Sequence, residues 1–220
     1  MDIFREHEIF EIEVLDLLHR SRLLAPLVFG GGTMLRLCHE LNRYSVDLDF
    51  WFIKAVREDE YFLQLRGVLE KKHELTDAQV KHHTLLFELR SARYPRRLKI
   101  ELRRTITLWE YQEKIAFSRF STRQVIVKAL TLEQCMRNKI AAFTDRGEIR
   151  DCFDIEFLLR RGIPLPDLES SAREFIRKKL LGFKKADYTV KLGSILEEPI
   201  RQYYVTHGFA YLKEKLDQQI

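Results

Sequence analysis

The sequence has few of the features that mark a secreted or membrane-inserted protein. Only three of its 220 residues are cysteine, and their spacing matches neither a disulfide framework nor a C-x-x-C zinc pattern. No apolar run approaches the ~20 residues that a membrane helix needs, and the N-terminal stretch lacks the basic-then-apolar order of a signal peptide. We therefore expect a cytoplasmic chain in which Cys38, Cys135 and Cys152 are reduced and buried.

Internal repeats, low-complexity segments and a Pro/Gly/Ser-rich linker are also missing. The composition, 45% hydrophobic and 32% charged, is ordinary for a globular protein, and the length fits one large domain or two small ones. The net charge of +5 is modest, but residues 90–104 and 175–185 are dense in Arg and Lys. Such segments are either solvated faces or the binding surface for a polyanion.

The pattern of residues 29–52 predicts a strand, a glycine turn, a short helix, a loop and a second strand. The second strand carries Asp47 and Asp49, which point to one face because strand side chains alternate. At about 4 Å and an effective dielectric constant of ~20, two such charges repel by roughly 4 kcal/mol. The pair therefore needs a protonated member or a cation, and hard oxygen ligands suit Mg²⁺ or Mn²⁺.

The glycine turn before the short helix predicts a phosphate site. Consecutive glycines let the backbone approach a ligand, and the free N–H groups at a helix start attract an anion. The candidate phosphate ligands are Gly31, Gly32 and Thr33, with Arg36, Arg43 and Ser45 nearby. Arg43 would serve equally well as a strut for the loop, and a glycine run before a helix is often only a tight turn.

The order of these features is more specific than either motif alone. GGTMLRL followed by Arg43, Ser45 and DLDF resembles the signature of the polymerase-β-type nucleotidyltransferase superfamily, specifically the AbiEii/AbiGii-type nucleotidyltransferase toxins of prokaryotic toxin–antitoxin systems. The resemblance implies an α/β (α+β) fold: a mixed sheet with flanking helices, followed by a C-terminal helical bundle. We place the nucleotidyltransferase domain at residues 1–130 and the helical domain at 131–220, and we expect the site between them.

Glu101 is the candidate for the third carboxylate of this superfamily. Residues 83–90 and 97–104 predict two strands, and in the second of them Lys99, Glu101 and Arg103 share one face. The superfamily places its third acidic residue on a strand beside the D-x-D strand, so the three carboxylates would hold two Mg²⁺ ions. Alternatively, Glu101 only balances its basic neighbours on an exposed edge, although such surface pairs contribute only ~0–1 kcal/mol.

The C-terminal half carries KIAAFTDRGEIRDCFDIEFLL, which resembles the family's other signature, a Lys-bearing helix followed by an R-D-x-x-D helix start. By this resemblance the matching positions are Lys139, Arg146, Arg150, Asp151 and Asp154. Lys139 and Arg150 would contact the triphosphate, while Asp151 acts as a base or holds the basic groups in place. The alternative is structural, with Arg–Asp pairs that lock helix ends, and we favour it for Asp154, Arg146 and Arg150.

The remaining hydrophobic periodicity predicts mostly helices. They are expected at residues 5–24, 58–72, 131–146, 168–183, 190–204 and 207–220, with a further strand at 123–130. Residues 108–120 show no clear pattern. His82 and His83 are assigned no role, because adjacent strand residues face opposite sides.

These features together predict nucleotidyl transfer from an NTP to a hydroxyl acceptor, with release of pyrophosphate. The resemblance implies RNA, such as the acceptor end of tRNA, as the acceptor, and a cognate antitoxin as a partner. A small molecule or a protein hydroxyl would serve the same chemistry. The alternative from another class is a catalytically silent member of the fold that binds nucleic acid or a partner protein, although the intact carboxylate set argues against it.

Overall fold

A computed structural model of the protein describes residues 3–218. The chain divides into two compact units. The first contains the residues up to Glu40 and Tyr44–Thr131, and the second contains Leu41–Arg43 and the residues from Leu132 onward. The loop residues Leu41–Arg43 therefore belong to the helical unit by their contacts, although they stand between two elements of the first unit in sequence.

Within the described residues, the first unit is a mixed sheet of seven strands with three helices. The strands are β1 (Leu27–Gly30), β2 (Asp47–Phe52), β3 (Glu74–Val80), β4 (Thr84–Arg90), β5 (Leu98–Arg103), β6 (Tyr111–Phe117) and β7 (Gln124–Leu130). The helices are α1 (Ile3–Arg20), α2 (Gly31–His39) and α3 (Glu58–Glu70). The strand order β3-β4-β5-β2-β1-β7-β6 places β2 at the centre, antiparallel to β1 and parallel to β5.

One face of the sheet forms the core of this unit. Leu48, Phe50 and Phe52 of β2 are buried, and so are the alternate residues of the neighbouring strand β5. Because strand side chains alternate, Asp47 and Asp49 lie on the opposite face, where they are half-buried. The alternation predicted for β2 is confirmed, and it frees one face of the sheet for polar side chains.

The described part of the second unit is built from helices that are joined by loops. Its helices are α4 (Leu132–Arg146), α5 (Ile149–Arg160), α6 (Ser170–Gly182), α7 (Glu198–His207) and α8 (Ala210–Asp217). Phe143, Phe153 and Phe209 are fully buried and form part of its core. The mixed sheet and the C-terminal helices predicted from the sequence are confirmed.

Several predicted boundaries differ from the structure. The first helix ends at Arg20, because Arg22 takes a left-handed conformation with φ of 57°. The helix predicted for residues 190–204 is divided in the structure: π-helical and 3₁₀ turns occupy 187–195, and α7 begins at Glu198 with a proline in its first turn. The last two residues of the predicted C-terminal helix, 219 and 220, lie outside the described residues.

The cysteines are free thiols in the described chain. Cys135 and Cys152 are buried, whereas Cys38 is half-buried. Burial raises the pKa of Cys135 to about 12, so this thiol stays protonated and unreactive. Among residues 3–218, the structure shows no helix with the length and apolar character needed to cross a membrane.

Candidate active site

Strands β2 and β5 bring the three predicted carboxylates onto one face of the sheet. The strands are parallel and in register, with Asp47 opposite Lys99 and Asp49 opposite Glu101. Neighbouring strands lie ~4.8 Å apart and two residues along a strand span ~6.6 Å, so these four side chains share a small area. Glu101 therefore lies on the strand beside the one that carries Asp47 and Asp49, and its role as a ligand stays a prediction.

The ammonium group of Lys99 lies among these carboxylates. Its Nζ is 3.0 Å from Glu101 Oε1 and 3.8 Å from Asp47 Oδ2, and the Lys99 side chain is 36% exposed. Partial burial alone would lower the pKa of Lys99, but the hydrogen bond to Glu101 and the charge of Asp47 raise it above its ordinary value. Arg103 makes a second contact with Glu101, of 3.7 Å. Glu101 thus pairs with its basic neighbours and also faces the aspartates.

Asp49 lies against the start of α2. Gly31 opens that helix with a φ of 74°, and a Cβ at this position would overlap the Asp49 carboxylate. The positive end of the helix dipole stabilises a negative charge at this place. In this structure the anion at the helix start is therefore the Asp49 carboxylate, and only glycine leaves room for it.

The rest of the glycine turn is less accessible than the sequence suggested. Gly32 is buried, and Thr33 is 0% exposed. The Thr33 hydroxyl makes no hydrogen bond to any residue that the structure describes. Burial favours the backbone of the turn over the Thr33 side chain as the group that meets a phosphate, and the phosphate contacts of Gly31, Gly32 and Thr33 stay predictions.

Arg36, which the sequence places near the phosphate site, contacts the first helix in the structure. The Arg36 guanidinium pairs with Glu8 of α1 and lies 4.1 Å over the ring of Tyr44. His7 Nε2 lies 2.9 Å from the carbonyl oxygen of Val46, the residue just before β2. These contacts anchor α1 to the start of the aspartate strand. Ser45 is half-buried in the same loop, and its contact with a nucleotide stays a prediction.

Arg43 belongs to a buried ion cluster in the second unit. Its Nε and Nη2 donate to the two carboxylate oxygens of Asp154 at 2.6 and 2.7 Å, and neither side chain is more than 4% exposed. Lys139 Nζ lies 2.6 Å from Asp154 Oδ2. Burial alone would raise the pKa of Asp154, but the charges of Arg43 and Lys139 hold it below its ordinary value. These contacts suit the strut role considered for Arg43 and a supporting role for Asp154, and both roles stay predictions.

Asp151 is the second acid of this buried ion cluster. It is 0% exposed, accepts two hydrogen bonds of 2.7 Å from Arg146, and lies 3.4 Å from Lys139 Nζ. These contacts suit a carboxylate that holds the basic groups in place, and a role of Asp151 as a base stays a prediction. Arg150 is exposed on α5, and the triphosphate contacts expected of Lys139 and Arg150 stay predictions.

The carboxylates on β2 and β5 suit a divalent cation by their chemistry. Asp47, Asp49 and Glu101 supply the hard oxygen atoms that Mg²⁺ and Mn²⁺ prefer, on strands that fix their spacing. Among residues 3–218, however, no group of three or more His, Cys, Asp or Glu side chains is arranged to hold a metal ion. The residues fit the ion, whereas their present side-chain arrangement accommodates the ammonium group of Lys99.

Solved structures share this architecture. The match with a candidate nucleotidyltransferase from H. pylori covers 96% of this chain and 97% of the H. pylori chain, with a TM-score of 0.59 and 20% identity. The match with JHP933 from Helicobacter pylori covers 96% of this chain and 94% of the JHP933 chain, with a TM-score of 0.54 and 20% identity. The match with MenT4, a nucleotidyltransferase toxin from Mycobacterium tuberculosis, covers 96% of this chain and 88% of the MenT4 chain, with a TM-score of 0.51 and 17% identity. At these identities the likeness concerns the fold.

The sheet with its carboxylate face and the shared architecture place the chain among proteins of the nucleotidyltransferase fold. The family described as "Nucleotidyl transferase AbiEii toxin, Type IV TA system" matches residues 14–204. The chain belongs to this family of nucleotidyltransferase toxins, as its motifs predicted. No curated protein sequence matches it.

Proposed function

We propose that the protein is a metal-dependent nucleotidyltransferase that moves a nucleotide from an NTP to a hydroxyl group of RNA. We further propose that it acts as the toxin of a toxin–antitoxin pair with a cognate antitoxin. One observation carries the proposal: Asp49 lies against the glycine that opens α2, two residues from Asp47 and opposite Glu101. Three carboxylates beside a helix start suit a nucleotide whose phosphates arrive with a divalent ion.

In the proposed reaction the acceptor oxygen bonds to the α-phosphorus of the NTP, the hydroxyl loses its proton, and pyrophosphate leaves with the bridging oxygen. A divalent ion held by Asp47, Asp49 and Glu101 would supply charge neutralisation and a more acidic hydroxyl. The protein itself contributes rigidity, because two paired strands carry the carboxylates and Gly31 keeps Asp49 oriented. The start of α2 contributes the positive end of its dipole to the phosphates.

The loop between β4 and β5 supports a polyanionic acceptor. Arg93 and Arg97 are exposed there, Arg90 is exposed at the end of β4, and Arg96 lies 5.1 Å over the ring of Phe4. Basic side chains on RNA phosphates release counterions, so binding through them would weaken steeply with added salt. A small-molecule acceptor would not need such a surface.

The first test is transfer of label from each of the four α-³²P NTPs onto total RNA in the presence of Mg²⁺. We expect label on a discrete RNA species with one or more of the nucleotides, and loss of that label on addition of EDTA. Metal-dependent label on a protein or a small molecule instead would retain nucleotidyl transfer and reject the RNA acceptor. Absence of metal-dependent label with all four nucleotides would count against the enzyme itself.

Gly31→Ala is expected to lower the rate of label transfer by about 10- to 100-fold. The new Cβ would overlap the Asp49 carboxylate, and alanine disfavours the positive φ at this position, so Asp49 would move out of its place. The measurement is the initial rate of label transfer at saturating NTP.

Gly67→Ala in α3 is the matched control, since no described atom lies within 4 Å of the position its Cβ would take. This change should leave transfer unchanged and stabilise the protein by about 0.5–1 kcal/mol, because alanine is the better helix former. Wild-type transfer by Gly31→Ala would show that the close approach of Gly31 to Asp49 is dispensable.

A further inference from the structure

Lys99 occupies a central position among the candidate ligands. It lies on β5 directly opposite Asp47, two residues along the strand from the pair formed by Asp49 and Glu101. Its ammonium group reaches Glu101 and Asp47 at once, and the charge of Asp49 also acts on it. The ammonium group of Lys99 is therefore shared between the two strands that carry the three carboxylates, while Arg103 contacts only Glu101.

Stability does not require this arrangement. The side chains of Lys99 and Asp47 are 36% and 34% exposed and that of Glu101 is 18% exposed, and ion pairs that solvent partly screens stabilise a fold little. An ammonium and a divalent ion would, however, compete for the same oxygen atoms, since two positive charges side by side repel. The lysine has a flexible stem and three donors, so it can turn from a carboxylate to a phosphate.

We propose that Lys99 is a positioning residue that makes divalent-ion binding at Asp47, Asp49 and Glu101 depend on the nucleotide. Without nucleotide, the ammonium holds Asp47 and Glu101 and weakens binding of the ion. When a triphosphate arrives, the ammonium moves to its oxygen atoms and releases the carboxylates to the ion. The inference rests on the proposed nucleotidyl transfer. It adds an order of binding, in which the nucleotide draws the ammonium group away before the carboxylates bind the divalent ion.

The test is the Lys99→Gln variant of the full chain, with binding rather than activity as the readout. Affinity for Mn²⁺ alone, measured from the paramagnetic resonance signal of the free ion, should rise about tenfold, because the competing charge is gone. Affinity for a non-hydrolysable NTP analogue in EDTA, measured by calorimetry, should fall about tenfold, because a phosphate partner is lost. A merely structural lysine would not move the two affinities in opposite directions.

Two further variants sharpen the experiment. Lys99→Arg keeps a positive charge at the position and should restore weak binding of Mn²⁺ alone. Lys114→Gln removes the same charge from β6, three strands away from β2, and should leave both affinities within twofold of wild type. Equal Mn²⁺ affinities for Lys99→Gln and wild type, or an undiminished affinity for the analogue, would overturn the role of Lys99. The proposed function fails by a different result, the absence of label transfer by the wild-type protein.

Discussion

Replacement of Asp49 by Asn is expected to reduce label transfer by about 10³-fold, while the free energy of unfolding stays within about 1 kcal/mol of wild type. Asn has the shape of Asp but neither its charge nor its affinity for a hard cation, and loss of a group that stabilises the transition state has effects of this size. The fold should tolerate the change, since it removes one of several like charges on the sheet face. The measurements are the initial transfer rate and urea unfolding.

Asp77→Asn provides the control for this prediction. Asp77 lies on β3 at the edge of the same sheet, where it accepts hydrogen bonds of 3.0 Å from Gln79. The substitution makes the same chemical change far from β2, so transfer should remain at the wild-type level. If Asp49→Asn kept more than a tenth of the wild-type rate, Asp49 would not be a ligand of the catalytic ion.

The carboxylate face could be predicted because it depends on short-range rules. Asp47 and Asp49 share a face through the two-residue period of a strand, and the buried alternation of Leu48 and Phe50 identifies that strand. The position of Glu101 followed from the same period on β5, together with the resemblance to a known superfamily. Which residues stand opposite one another was not predictable, because strand pairing is a long-range property.

Two strands of the sheet could not be predicted from sequence patterns. β3 has the sequence ELTDAQV and is exposed to half-buried along its length, because it is an edge strand. Without a buried face it has no apolar alternation to recognise. β6 likewise lies at an edge, and Ala116 is its one buried residue. Edge strands pair on one side only, so their sequences are under less pressure to alternate.

The contacts of the buried ion cluster could not be predicted from local sequence patterns either. The motif indicated that Lys139, Asp151 and Asp154 matter together, but Arg43 and Asp154 are separated by 111 residues. No local pattern shows that an arginine beside the aspartate strand belongs to a helical unit. The sequence alone therefore left Arg43 with two roles, and only the tertiary structure shows its contact with Asp154.

Asp154→Asn is expected to destabilise the second unit by about 3–5 kcal/mol, the usual cost of removing one partner from a buried ion pair. The amide would leave Arg43 and Lys139 buried without the charge that compensates them, and its NH₂ group would face donors. The measurement is hydrogen exchange of the α4 and α5 amides, which should quicken by about 10²- to 10⁴-fold if it follows opening of this unit.

Asp217→Asn is the matched control for Asp154, because Asp217 forms an exposed pair with Arg177 that should contribute at most about 1 kcal/mol. The pH dependence gives an independent check. Since folding lowers the pKa of Asp154, its stabilisation is present above the unfolded value near 3.8 and is lost as the pH falls through the folded value. The difference between wild type and Asp154→Asn should therefore be constant from pH 8 to about 5 and shrink below 3.8. A difference that grew on acidification would show that the cluster does not hold Asp154 as an anion.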